Sequence, residues 1–416
     1  MTMAEKSIGT MQREMMAAHY ARATEAARCG LPVVYVTAMF PVEIVKAFAP
    51  ACAAVYPENH AVSLIMKGLA ERFAERAISE SSLDRMGCSY ELANTGYLLE
   101  ARETGADPGA SAGVPYLPPP DVLLACNNQC DVVAEWYQNL SNIFGGKPLK
   151  VVNAGNRYDG AIDDMRIQYV RDQLLDVIFL LEKVTGTSLD RDRLLEVSRM
   201  SNEAVRLWRE YLGFGMLKPS PITAFDGFYH MALIVSERGT PEAIDYYSRL
   251  VDETKDAAAR GAAAVEPEKY RLLWDNLATW FNFGELRRYM AKRGVAVVGS
   301  TYLDIWTKEL DCSDFESLMT SMAEAYCVMY TNLTIEQRIE LYKKMVVDYG
   351  ADGVLFHDNR SCHTFSRLQG QIADALRAEF GEDFRTIMFE GDMGLVERFQ
   401  KHKFETAAET YFEVTD

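Results

Sequence analysis

The chain has 416 residues, 49% of them hydrophobic and 25% charged, a balance that excludes disordered, collagenous and small disulfide-scaffold classes. Its 60 Asp plus Glu against 43 Lys plus Arg leave a net charge of −17, which argues against broad binding to nucleic acid or an anionic membrane, so any phosphate-bearing ligand must meet a local basic pocket. The stretch from Met1 to Met16 lacks the apolar core and cleavage site of a signal peptide, and no apolar run approaches the ~18 residues of a membrane span. A cytoplasmic protein that uses neither nucleic acid nor membrane is expected.

Taken in chain order, a β-rich run at Val33–Thr37 predicts the first strand, followed by helices near 41–49 and 60–79. Arg102 to Pro120 is rich in proline and glycine and reads as a loop excursion. Strands at Val122–Cys126 and Lys150–Asn153 follow, with helices near 131–144 and 164–185, so residues 1–189 form an N-terminal α/β domain. Residues 190–292 read as a mainly helical connecting segment, in which Thr240 caps a helix and Pro241 occupies its first turn. In residues 293–416, strands at Val295–Ser300, Gly353–His357 and Thr386–Phe389 alternate with helices at 313–330, 334–349 and 364–380, and a last helix is expected near 392–402. Strands separated by amphipathic helices imply parallel sheets with helical crossovers. The expected fold is α/β with two domains, each a small parallel sheet flanked by helices, plus the helical segment between them.

Several common chemistries lack an anchor. There is no Gly-x-x-x-x-Gly-Lys-Ser/Thr phosphate loop, no dinucleotide fingerprint, no His-Glu-x-x-His helix, no Gly-x-Ser-x-Gly elbow and no paired Cys-x-x-Cys. Eight irregularly spaced cysteines suit a reducing compartment. Three of them lie in loops of similar chemistry: Gly87-Cys88-Ser89-Tyr90, Asn127-Asn128-Gln129-Cys130-Asp131 and Asn359-Arg360-Ser361-Cys362-His363. Cys130 and Cys362 follow predicted parallel strands, whose carboxyl ends collect ligands in open α/β sheets. A helix N-terminus after each cysteine would favour the thiolate that binds iron. Spacing alone favours the plainer reading, three buried packing thiols. Cys29, Cys52, Cys126, Cys312 and Cys327 read as packing residues, with Cys126 close enough in sequence to Cys130 to approach the same site.

Further segments complete a pattern: Phe40-Pro41 with Glu43, Tyr56-Pro57-Glu58-Asn59, Trp136-Tyr137, Glu268-Lys269-Tyr270-Arg271, Asp352-Gly353-Val354 and Glu390-Gly391-Asp392. Together and in this order with the three cysteine loops, they resemble the catalytic subunits of the 2-hydroxyacyl-CoA dehydratase and ATP-dependent benzoyl-CoA reductase family over nearly the whole chain. The resemblance implies one 4Fe–4S cluster on Cys88, Cys130 and Cys362, leaving one iron open. It also implies a homologous cluster-bearing second subunit, a separate ATP-hydrolysing iron–sulfur activator that uses the ATP, a low-potential electron donor such as ferredoxin, and an acyl-CoA thioester substrate.

In the dehydratases of this family a serine and the glutamate of Tyr-Pro-Glu-Asn lie beside the substrate. Glu58 matches the glutamate, whereas Ala38, with Thr37 beside it, stands where the serine aligns. Arg238-Gly239-Thr240, Tyr330-Thr331-Asn332, Gln337-Arg338 and Ser361-Cys362-His363 look more like the reductases; Asn127-Asn128 and His357 look more like the dehydratases. The sequence leans toward a benzoyl-CoA reductase acting by single-electron reduction of the thioester. The alternative is an (R)-2-hydroxyacyl-CoA dehydratase that uses a ketyl radical to eliminate water. Two other classes stay open, a noncatalytic electron-relay or scaffold subunit and a metal-free binding protein whose cysteines are all core.

Glu58 is the expected catalytic residue, as a general acid or base whose pKa burial raises. On the substrate side the candidates are Thr37, Ala38, His357, Arg360, His363 and Glu390. His357 reads either as a core histidine or, like His363, as a donor to substrate or cluster sulfur. Glu390 and Asp392 face a ligand or cap the next helix, and Arg157, Arg360 and Arg367 are candidates for the CoA phosphates.

Overall fold

The computed structural model describes residues 6–155 and 162–412; Arg157 and the first five residues of the N-terminal stretch lie outside the described residues. Two four-stranded sheets carry the fold. The first contains β1 (Val33–Val36), β2 (Ala53–Val55), β3 (Val122–Cys126) and β4 (Leu149–Val152) in the order β2-β1-β3-β4. The second contains β5 (Tyr270–Asp275), β6 (Val295–Ser300), β7 (Gly353–Asn359) and β8 (Arg385–Gly391) in the order β6-β5-β7-β8. Every neighbouring pair is parallel, as the alternation of strands and helices predicts. Val33–Val36 and Val122–Cys126 are apolar and buried throughout, which a sheet with helices on both faces requires.

Both sheets have the same permutation. The chain leaves β1 for β2 on one side and later places β3 on the other, and β5, β6 and β7 repeat this arrangement. Where connections diverge in opposite directions, a crevice opens outside the carboxyl ends of the two inner strands. In the first sheet that point falls between the loops after β1 and β3, and in the second between those after β5 and β7.

The chain divides into two compact units. One holds the residues to Arg206 with Ala232–Tyr246 and Lys308–Asn332; the other holds Leu207–Met231, Tyr247–Thr307 and the residues from Leu333 onward. Helices Arg191–Gly213, Ala224–Ser236 and Pro241–Ala259 lie where the chain passes from one unit to the next. Thr240 caps the last of these, its Oγ1 accepting from the Ala243 N–H at 3.2 Å.

Three expectations about elements need correction and one needs an addition. The mainly helical segment 190–292 also holds an inner strand of the second sheet, Tyr270–Asp275; its leucines carry no β signal and its charged Arg271 and Asp275 disguise the burial of residues 271–275. The helix expected over 60–79 is two, Pro57–Met66 and Ala70–Ser81, separated at Gly68, whose φ of 68° suits glycine. The helix over 364–380 also breaks, into His363–Ser366 and Gln369–Phe380, with Leu368 at φ 73° between them. No regular α-helix starts at 392. The Asp392 carboxylate accepts from the Gly394 and Leu395 N–H groups at 2.7 and 2.8 Å and turns the chain, and the helix begins at Lys401.

Among the described residues no helix is long and apolar enough to cross a membrane. None of the eight cysteines forms a disulfide. Cys52, Cys126 and Cys327 are buried as packing residues should be, but Cys29 is exposed at the end of the first helix and Cys312 is half-buried.

Candidate functional site

The first sheet places a carboxyl group at its switch point. Glu58 sits in the first turn of helix Pro57–Met66, which starts directly after β2 because Pro57 has the helical φ preset and needs no N–H donor there. Its Oε1 accepts from the Ala38 N–H at 3.0 Å and from Gln129 Nε2 at 2.8 Å, so the loops after β1 and β3 both close on it. Its second oxygen, Oε2, and the Tyr137 hydroxyl are buried with no closed hydrogen bond, and the hydroxyl is near enough to favour the carboxylate. Burial dominates and pushes the Glu58 carboxyl above the usual range, against the pull of the Ala38 N–H, Gln129, its own N–H and Tyr137. Such a group holds a proton at a pH where an exposed glutamate has lost it.

The same switch point carries two of the three cysteines. Cys130 occupies the N-cap of helix Asp131–Ile143 after β3, and Cys88 the N-cap of helix Ser89–Thr104; neither side chain caps its own helix. Burial pushes the Cys88 thiol up, the backbone N–H groups of Glu91 and Tyr90 pull it down, and the nearby Cys130 thiol adds a further upward push. Main-chain donors aimed at one sulfur, with a second thiol beside it, suit a charged sulfur held by metal. Thr37 Oγ1 lies 3.1 Å from Cys126 Sγ, which places that buried cysteine against the loop after β1. The cysteine loop is fixed from a distant segment of the same unit. Asn128 Nδ2 donates to the Tyr326 carbonyl at 2.7 Å and the Thr331 hydroxyl donates to the Asn128 carbonyl at 2.6 Å.

The third cysteine lies in the second unit, in the loop after β7. Cys362 caps a helix of only four residues, His363–Ser366, so the dipole expected to favour its thiolate is too short to count. Among the described residues no three His, Cys, Asp or Glu side chains converge on one metal ion. A 4Fe–4S cluster makes a different demand, since each liganded iron takes its own thiolate and the sulfurs stand apart.

Other sequence candidates fall into lesser roles. His357 is a core residue: its ring stacks on Phe389 with centroids 5.0 Å apart, and its Nδ1 lies 2.8 Å from the Leu277 carbonyl. Arg360 pairs with Glu390, which also meets Lys403 at 3.8 Å, so these charges satisfy one another at the sheet edge. His363 and Arg367 are exposed. Ala38 is buried and acts through its main chain, so a side-chain hydroxyl is not needed for the contact with Glu58. Sequence grounds alone assign no role to Gln129 or Tyr137, although both lie in segments that carry the family resemblance. The position of Gln129 beside Cys130 at a strand end was the available signal.

Fold and site define an α/β protein of the open-sheet class that gathers its reactive groups at the carboxyl ends of parallel strands. Residues 37–414 match the 2-hydroxyglutaryl-CoA dehydratase, D-component family, and the chain belongs to that family. It is similar to the (R)-2-hydroxyisocaproyl-CoA dehydratase alpha subunit of Clostridioides difficile, with 30% identity over 99% of this chain and 97% of that protein. It is 28% identical to the (R)-phenyllactyl-CoA dehydratase alpha subunit of Clostridium sporogenes, over 97% of this chain and 96% of that one. A benzoyl-CoA reductase polypeptide of Thauera aromatica is 29% identical over 79% of this chain and 76% of its own length. The chain is therefore an enzyme subunit of the dehydratase or reductase type. The lean toward the reductase gives way, because the dehydratase alpha subunits match more of the chain.

Proposed function

We propose that this chain is the cluster-bearing catalytic subunit of a 2-hydroxyacyl-CoA dehydratase acting on an (R)-2-hydroxyacyl-CoA thioester. The observation that carries the proposal is the buried Glu58, its carboxyl pushed above the usual range by burial and aimed by the Ala38 N–H and Gln129. Eliminating water from an unactivated hydroxyl requires a proton on the departing oxygen. Glu58 is the group placed to supply that proton, with Oε1 fixed by two donors and Oε2 left to exchange with the substrate. The C2–O bond then breaks with its electron pair on the departing water, and the Glu58 carboxylate that remains takes up the C3 proton whose loss forms the double bond, which returns Glu58 to its protonated form.

Cys88, Cys130 and Cys362 are the three thiols for a 4Fe–4S cluster, which when bound supplies one low-potential electron and leaves one iron without a protein ligand. The dehydratase alpha subunits imply a second subunit, and a separate ATP-using activator with a ferredoxin-type donor belongs to the same proposal. The test is turnover by the anaerobically purified complex with its activator. Dehydration of a 2-hydroxyacyl-CoA, lost in Glu58→Gln, supports the proposal; reduction of benzoyl-CoA with no dehydration transfers the chain to the reductase branch.

A further inference from the structure

In the second unit the loop that carries Cys362 is fastened by a side chain from another strand. We propose that Asn276 is a positioning residue for Cys362, acting through Ser366. Its role toward a cluster rests on the reading of Cys362 as a ligand.

Asn276 directly follows β5, is fully buried, and has φ 80°. A non-glycine residue holds that left-handed conformation only where its surroundings over-determine it, a pattern common at functional sites. Its carboxamide is fully used. Oδ1 accepts from the Leu277 N–H at 2.7 Å, while Nδ2 donates to the His357 carbonyl on β7 at 2.9 Å and to Ser366 Oγ at 2.9 Å. The Ser366 hydroxyl in turn accepts from the Asn359 N–H at 2.8 Å and donates to the Asn359 carbonyl at 3.1 Å. Between these two residues lies Cys362, whose N–H donates to the Asn359 carbonyl at 3.0 Å and whose own carbonyl accepts from the Ser366 N–H at 3.1 Å. Gln369 Nε2 braces the arrangement, donating to the His357 carbonyl at 3.0 Å and to Asp275 Oδ2 at 2.6 Å. The two ends of the Cys362 loop, Asn359 and Ser366, are thus closed on each other by Ser366 Oγ, and Asn276 is what ties that oxygen to β5. The location agrees: Asn276 and the Cys362 loop lie at the ends of the two inner strands, at the switch point of the second sheet.

The test uses the full-length, metal-free chain under folding conditions, with iodoacetamide and mass spectrometry to follow each cysteine. Asn276→Gly deletes the carboxamide while keeping a residue at ease at positive φ, and Ser366→Ala is the second variant. Cys29, which is exposed, calibrates reagent reactivity, and Cys52 and Cys327, which are buried, report global opening. We expect Cys362 to react at least about fivefold faster in both variants, the change that loss of even one of the deleted hydrogen bonds produces in a local opening equilibrium, with the other three cysteines unchanged. An unchanged Cys362 rate in either variant, or an acceleration shared with Cys52 and Cys327, overturns the proposal. Iron and sulfide in the complex should also fall in Asn276→Gly. If Cys362→Ser keeps its full iron, the ligand reading fails instead, and the alkylation result still decides the clamp.

Discussion

The Gln129 carboxamide bridges two elements of the site: Nε2 donates to Glu58 Oε1 at 2.8 Å and Oε1 accepts from the Met39 N–H at 3.3 Å. The residue beside Cys130 therefore holds the acid and the loop after β1 in one register. Gln129→Ala should lower kcat about 10- to 100-fold, as misaimed catalytic groups do, while the iron content of the complex is unchanged. Because Gln129 stabilises the carboxylate form, its loss raises the Glu58 pKa further, and the alkaline limb of the rate profile should move to higher pH. An unmoved limb with full activity would show that Gln129 only fills space.

Under the proposed function Glu58 itself sets that limb. Its raised pKa keeps it protonated through a range where an exposed glutamate is ionised, so proton donation is lost as pH rises through the raised value. Glu58→Gln should lower kcat by about 10²- to 10⁴-fold and flatten the alkaline limb. A variant with normal turnover and the native pH profile would remove Glu58 from the chemistry.

Gly96 sets how closely the helix after Cys88 packs on its neighbour. A Cβ there would lie 1.8 Å from the Phe73 carbonyl oxygen, a backbone atom that cannot yield without moving the helix Ala70–Ser81. Gly96→Ala should cost about 1–3 kcal/mol or more by overpacking, measured by urea unfolding. Cluster retention should fall with it, since Cys88 heads the displaced helix.

Acid stability in the first unit should depend on Glu237. Burial pushes its carboxyl up, but the hydrogen bond to His19 and the charges of Lys46, His19 and Arg22 together bring it down to about 2 from the ordinary 4.5. A group depressed on folding contributes stability that is present above its unfolded value and is lost as pH falls through the folded value. The window therefore runs from about pH 4.5 down to about 2, and the shift is worth about 3 kcal/mol. Glu237→Gln should lower stability at pH 7 by about that amount and flatten this part of the stability–pH curve.

Much of the fold is legible because its signals are local. Val33–Val36, Val122–Cys126 and Val295–Ser300 are apolar runs between turn residues, and their parallel pairing follows from the helices between them. β2 escapes notice because Ala53–Val55 is three residues with only one β-branched side chain, and β5 because its burial depends on Arg271 and Asp275 contacts made far along the chain. In the site, Glu58 and Ala38 are both singled out by their segments, whereas the way Ala38 acts is not legible, since its contact is made by a main-chain N–H that side-chain identity does not encode. Asn276 is equally hidden: its left-handed φ and its bond to Ser366, ninety residues away, exist only once β5 and β7 are paired.

The most direct test of the account is iron and acid-labile sulfide per chain in the complex purified anaerobically with its partner, with Cys88→Ser, Cys130→Ser and Cys362→Ser alongside. About four of each per chain in the native protein, lost in all three variants, is the predicted result. A complex without iron, or one in which the three variants keep it, would contradict the assignment of these cysteines.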